Sequence, residues 1–180
     1  ILLGTLLLML PISSKRETFS PFLDCLLTST SAVCVTGLVV YDTAVHWTLF
    51  GQTVILILIQ IGGMGVITVA AALSLAAGRK ISLMQRSTMQ EAIAAPKMGG
   101  IVRLTGFVIK ITFIIELLGA VIMMPVFIKD FGTKGIWMAL FHSISAFCNA
   151  GFDIMGTYGR EFASLTSYVA NPIISLTIIS

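Results

Sequence analysis

The sequence is short of charge. Asp, Glu, Lys and Arg together make up 11% of its 180 residues, under half the roughly 25% typical of soluble domains. Hydrophobic residues make up 57% and the mean hydropathy is +1.01. A soluble domain this small exposes too much surface to hide that share of apolar side chains, so the implied solvent is a lipid bilayer. Cysteine is scarce too. Cys25, Cys34 and Cys148 form an odd set with no close spacing, which excludes a disulfide framework and a cysteine metal-binding motif. Two isolated histidines, His46 and His142, complete the short inventory. No nucleophile–base pairing, phosphate-binding glycine loop or metal-ligand cluster is present, so the chain reads as neither an enzyme nor the holder of an organic cofactor. So apolar a chain is also out of keeping with nucleic-acid binding.

What is there is a series of apolar runs. Residues 1–10 read as the tail of a spanning helix ended by Pro11, and residues 12–19 as a polar turn. Ser20 and Pro21 read as an N-cap and a first helical residue. The run 22–32 is helical in composition but about half the length needed to span, and it ends in Val33-Cys34-Val35-Thr36-Gly37. Residues 43–78 carry no Asp, Glu, Lys or Arg, and a long helix is predicted over about 47–77, enough to cross a ~30 Å hydrocarbon core. Residues 78–103 hold Arg79, Lys80, Arg86, Lys97 and Arg103 against one acid, Glu91. The positive-inside rule puts this stretch in the cytoplasm. A second spanning helix is predicted over about 104–124, ended near Pro125, then a second half-length helix over 135–147, a polar linker over 158–167 and a further apolar run from Pro172. With no Met at the start and no basic region before the first apolar run, no signal peptide is expected. The reading is of a fragment that starts and stops within transmembrane helices.

The order helix, half-helix, loop, helix thus occurs twice. At an offset of 114 residues, Ser29, Ser31, Ala32, Cys34 and Gly37 match Ser143, Ser145, Ala146, Cys148 and Gly151. The shared pattern is S-x-S-A-x-C-x-x-G, at equivalent places in two matching hydropathy units, and it marks an internal duplication. The predicted fold is an all-α membrane protein of tandem helix–pore loop–helix repeats, of potassium-channel-like type. The first repeat covers 1–78, the cytoplasmic basic loop 79–103 and the second repeat 104–180.

Irregular backbone at membrane depth is tolerated only where protein buries it or water lines it. A half-helix aims the negative end of its dipole at the loop, which favours a cation, and loop carbonyls can replace a cation's hydration shell. Gly37 and Gly151 supply the backbone freedom. Two such loops cannot encircle an ion, since a carbonyl cage of this type needs four. Either two chains associate or further sequence supplies two more loops. The other reading is of re-entrant loops that only pack.

These residues resemble the Trk/Ktr/HKT potassium transporter superfamily, and within it the KtrB-like bacterial membrane subunits. The likeness is carried by Ser31-Ala32-Val33-Cys34-Val35-Thr36-Gly37-Leu38, by Gln60-Ile61-Gly62-Gly63-Met64-Gly65 and by residues 142–152, His-Ser-Ile-Ser-Ala-Phe-Cys-Asn-Ala-Gly-Phe. It covers the whole chain and corresponds to the first two of four repeats. The resemblance implies a four-loop pore in one chain, uptake of K+ assisted by Na+, a homodimer of full-length chains, and a cytosolic KtrA-like nucleotide-binding regulatory ring. It makes Val35, Thr36, Gly37, Asn149, Ala150 and Gly151 the potassium selectivity filter segments, with Cys34 and Cys148 adjacent to them. Some plant relatives carry Ser at the first glycine and prefer sodium, so Gly37 points to potassium. The family's gating loop belongs to the third repeat, beyond this chain.

Other residues admit two readings. Glu116 lies in a spanning helix, where a carboxylate is costly and faces protein. It is either a cation-path residue or a hydrogen-bonded tie to a neighbouring helix. Lys110 lies about 240° around the helix from it, so the two do not pair directly. His142, one position before Ser143, reads more readily as a packing or hydrogen-bonding residue than as part of the ion path, and His46 is a lone histidine with no ligand spacing around it. Asp42 and Asp153 are either solvated loop-end charges or attractors of cations at the outer mouth. Gly62, Gly63 and Gly65 suit close helix packing more than a hinge. Two alternatives to an uptake subunit stay open: the potassium-binding subunit of an ATP-driven pump, and a non-conducting membrane scaffold.

Overall fold

A computed structural model describes residues 1–16, 18–65, 68–69, 101–156, 163–168 and 170–179. The expected boundary at 78 and most of the basic loop 79–103 lie outside the described residues. Among the described residues, regular structure is helical, apart from one isolated antiparallel bridge between Ser14 and Trp47. The chain forms two compact units, Ile1–Gly63 with Glu116–Ser180, and Met64–Ile115.

Helix α1, Leu2–Met9, ends at Leu10, whose extended backbone leads into Pro11 and a 3₁₀ turn, Pro11–Ser13. Helix α2, Phe22–Cys34, starts one residue later than predicted. Pro21 is the N-cap, because its carbonyl accepts the first helical bond, from Cys25 N–H. The Ser20 hydroxyl, expected to cap α2, pairs instead with His46 Nε2 at 3.1 Å.

The long helix predicted over 47–77 is not continuous. A single turn, α3 (Thr43–His46), is capped by Asp42, whose Oδ1 accepts from Ala44 and Val45 N–H. Trp47 lies outside helix, in the bridge to Ser14. Helix α4, Leu49–Gly63, has 15 residues, about 22 Å at 1.5 Å per residue. It gives way at Met64 to Gly65, whose φ of +80° is a conformation that suits glycine.

Pro125 does not end the second spanning helix. Helix α5 runs Ile101–Phe131 with Pro125 inside it, and its Thr105–Phe131 portion is long and apolar enough to cross a membrane. Proline removes one ladder hydrogen bond, a loss that spanning helices tolerate where neighbouring groups take up the freed carbonyl. The stop is Gly132, at φ +62°, with its N–H on the Ile128 carbonyl. Helix α6, Lys134–Phe147, follows at once, and α7 is Pro172–Ile179. Exposed Leu117, Leu118, Val121 and Ile122 on α5 are what a lipid-facing surface requires.

The core of the first unit gathers Leu8, Cys25, Ile55, Ile59, Phe127 and Phe141, all fully buried. Gln52 knots three elements inside it. Its Nε2 donates to the carbonyls of Thr43 and Trp47, and its Oε1 accepts from Trp137 Nε1 on α6 at 2.8 Å. Beside it, His46 stacks on Tyr41 with ring centroids 4.0 Å apart, and Tyr41 Oη donates to Asp24.

Burial holds His46 below its ordinary value, the Arg16 charge adds to the effect, and Asp24 opposes it. The unfolded chain therefore binds the proton first as pH falls, and stability falls with it. The thermal midpoint of the full-length protein should begin to drop as pH passes below about 6.5 and continue dropping to the lower folded value. His46→Gln should remove that part of the pH slope. Parallel profiles for the two proteins would contradict this account.

Candidate functional site

The matched segments share a backbone, not only a pattern. At the end of α2, Val35 N–H bonds to the Ala32 carbonyl at 3.4 Å and Thr36 N–H to Ser31 at 3.0 Å. At the end of α6, Asn149 N–H bonds to Ala146 at 2.9 Å and Ala150 N–H to Ser145 at 2.7 Å. Each pair is a Schellman motif, which closes a helix through one residue in the left-handed region. That residue is Val35 at φ 56° in one copy and Asn149 at φ 53° in the other. Asn adopts this conformation readily, whereas a β-branched Val there is a true outlier. Held strain of this kind costs of order 1–3 kcal/mol and concentrates at functional sites. Two residues on, Gly37 and Gly151 take φ 73° and 70°.

The docking of the two half-helices is also duplicated. Ser29 Oγ donates to the Ile1 carbonyl at 2.8 Å, and Ser143 Oγ donates to the Glu116 carbonyl at 2.6 Å. Three residues beyond each acceptor is a glycine, Gly4 or Gly119. A Cβ on Gly4 would come within 2.7 Å of Ser29 Oγ, and one on Gly119 within 2.5 Å of Ser143 Oγ. Each half-helix therefore hangs by a serine from the backbone of the helix before it, where a glycine lets it approach. Nothing in the sequence marked Gly4 and Gly119, because their offset is 115 where the loops show 114. The next serines brace the loops themselves. Ser31 Oγ accepts from Thr36 Oγ1 at 2.9 Å, and Ser145 Oγ donates to the Phe152 carbonyl at 2.6 Å.

The two Gly-ended segments meet. A Cβ on Gly37 would lie 2.9 Å from the Ala150 carbonyl oxygen and 3.3 Å from Gly151 Cα, and one on Gly151 would lie 3.4 Å from Gly37 Cα. Val35, Thr36, Gly37, Asn149, Ala150 and Gly151 are thus brought together. Among the described residues, none of their six carbonyls accepts a hydrogen bond. Behind them stands the end of α4. A Cβ on Gly62 would overlap the Val33 carbonyl, and one on Gly63 would overlap Cys148 Sγ. Adjacent glycines on one helix back both loops, which is the packing role expected of them; Gly65 lies past the helix end. Cys34 is exposed and Cys148 half-buried, and both are free thiols.

Beyond Gly151 a cavity of about 120 Å³ is lined by Val39, Asp42, Thr43, Gly151 and Asp153. The two carboxylates share one opening, and Asp42 is a buried helix cap rather than a solvated charge. His142 is committed to structure. Its Nε2 accepts from Ile154 N–H, so Nδ1 carries the proton donated to the Met138 carbonyl at 2.7 Å. Glu116 is tied to α4, accepting from Gln60 Nε2 at 2.7 Å.

A family model described as TrkH, cation transport protein, matches residues 2–180. The potassium/sodium uptake protein NtpJ of Enterococcus hirae is 44% identical over 87% of this chain and 35% of its own length. Ktr system potassium uptake protein B of Bacillus subtilis is 41% identical over 99% of this chain and 38% of its own length. Its Vibrio alginolyticus namesake is 37% identical over 86% of this chain and 33% of its own. The chain spans about a third of the length of these relatives.

The backing by α4 is testable without reference to transport. Gly62→Ala in the full-length protein should lower the thermal midpoint, at an overpacking cost of about 1–3 kcal/mol. Gly106→Ala on α5, where a Cβ meets nothing within 4 Å, should be neutral or slightly stabilising. Equal effects from the two would refute the assigned contact.

Proposed function

The chain belongs to the TrkH cation transport protein family, and from that premise we propose that its twin Gly-ended segments are pore loops forming half of a potassium-selective filter. The observation that carries this reading is the duplicated left-handed helix end beside an apposed glycine pair. Among the described residues, it leaves six carbonyl oxygens without protein donors. Carbonyl dipoles of this kind replace the hydration shell of a monovalent cation. The C-terminal ends of α2 and α6 add partial negative charge without a fixed ion. In the longer protein of which this is one part, two further loops complete the ring.

In this reading the whole protein takes up K+ across the cell membrane, with Na+ as helper. The relatives' names, potassium/sodium uptake and Ktr system potassium uptake, support that choice of ions. The word "system" accords with a partner, for which the proposal is a cytosolic KtrA-like nucleotide-binding ring, and full-length chains pair as a homodimer. The basic loop 79–103 faces the cytoplasm and the pore loops enter from outside, where Asp42 and Asp153 enrich cations at the mouth.

The test is Gly37→Ser in the full-length protein, with K+ and Na+ flux measured in proteoliposomes. A side chain at φ +73°, 2.9 Å from the Ala150 oxygen, must shift the loop. The expected loss in K+ over Na+ preference is about tenfold or more, which is ~1.4 kcal/mol. An unchanged ratio in a normally expressed variant would remove Gly37 from the filter. Wild-type protein passing neither ion would reduce both loops to packing elements.

A further inference from the structure

Gln60 of α4 and Glu116 of α5 form a buried polar pair. Gln60 Nε2 donates to Glu116 Oε1 at 2.7 Å, and Glu116 is 2% exposed. The remaining oxygen of each head group, Gln60 Oε1 and Glu116 Oε2, is buried and unpartnered among the described residues. Two groups already joined by one hydrogen bond thus each carry an orphan acceptor, and a proton on the carboxyl is what would let one donate to the other. Turning the amide over does not remove the need. It would set Gln60 Oε1 against Glu116 Oε1 at the same separation, two acceptors with no donor.

Among the described residues, the surroundings supply no compensating cation. From α4 comes uncharged sequence, residues 43–78 holding no Lys or Arg. From α6 come the Ser143 hydroxyl, already donated to the Glu116 backbone carbonyl, and the Cys148 thiol, which lies within electrostatic reach. From α7 comes the Thr177 methyl, which packs near Gly119. An ionised carboxylate here would be a buried, unpaired charge, which costs far more than a neutral acid with satisfied hydrogen bonds.

We propose that Glu116 is a proton-binding site: it sits in the folded membrane protein as a neutral carboxylic acid whose Oε2–H donates to Gln60 Oε1. Two hydrogen bonds then close a ring between α4 and α5. Through the Ser143 bond to the same residue's backbone, the ring also steadies the half-helix α6. The bound proton is a structural ligand, and Glu116 is not a cation ligand. The position that matches Glu116 at an offset of 115 is Ile1, so the acid stands outside the duplicated design. The inference does not depend on the filter reading.

Infrared spectroscopy of the full-length protein in lipid nanodiscs at neutral pH tests this. The wild type minus Glu116→Gln difference should contain a protonated-carboxyl C=O band, equally in K+, Na+ and choline salts. A carboxylate band in its place would overturn the proposal. So would a protonated band seen in choline and lost in Na+ or K+, which would make the site one for a metal cation. Gln60→Leu gives a second route if the first variant folds poorly. It removes the N–H donated to the acid, so the band should move to higher frequency, and an unmoved band would contradict the ring. In thermal unfolding, Glu116→Gln, which can restore both bonds as an amide pair, should hold the wild-type midpoint, while Glu116→Leu lowers it. Equal losses from the two would also count against a neutral acid.

Discussion

A backbone that leaves the helix inside an apolar medium must satisfy its N–H groups before anything else, and that constraint organises this molecule. The Schellman bonds at the ends of α2 and α6 meet it by turning the next two N–H groups back onto the helix that has just ended. The donors are consumed locally, while among the described residues the carbonyls that follow accept no hydrogen bond. The cost is a left-handed residue at a place where glycine is absent, and Val35 bears more of it than Asn149. Such a turn persists only if its surroundings over-determine it. Much of the remaining structure can be understood as that over-determination.

The supports act from three directions. From the preceding helix, Ser29 and Ser143 fix the half-helices to backbone carbonyls across Gly4 and Gly119. From within, Ser31 and Ser145 brace the residues on either side of the loop glycine. From behind, Gly62 and Gly63 bring the α4 backbone against Val33 and Cys148. None of these contacts uses a charged side chain. Hydroxyls, a thiol and bare backbone make these supports themselves neutral, so the fixed charge beside the loops comes from the Asp42 and Asp153 carboxylates of the adjoining cavity.

The half-helices were legible because their pattern, S-x-S-A-x-C-x-x-G, is itself the structural device. Its serines dock and brace, and its glycine takes the positive φ. What misled lay in single residues read by local rules. Pro125 signals a helix end in water, but α5 continues to Gly132 because a membrane helix keeps its remaining ladder where no solvent competes for it. The long uncharged run 47–77 reads as one helix by composition, yet Trp47 is held out by its bridge to Ser14, and Gly65 turns left-handed. Asn149 could have been flagged as a left-handed residue from its type. Val35 carried no such signal, since its conformation is imposed by the 6→1 bond and not by any preference of valine. The tie between Gln60 and Glu116 joins residues 56 apart in sequence, a separation that no local pattern encodes.

The differences between the copies say what the duplication preserves. The residues leading to the two glycines are Val-Thr in one copy and Asn-Ala in the other, so no side-chain chemistry is common to them. Thr28 and His142 occupy matched positions, and both bond the carbonyl four residues back. Their side chains differ, but the bond is the same. Selection for a side-chain ligand would have kept the side chain; here the backbone path is kept and the side chains drift. A ring assembled from unlike segments can offer a cation an even field only through what the segments share. On the filter reading that is the carbonyl sequence leading to each glycine. A charged side chain among the ring's own oxygens would unbalance it; the buried Glu116 is bound instead to the Gln60 amide of α4.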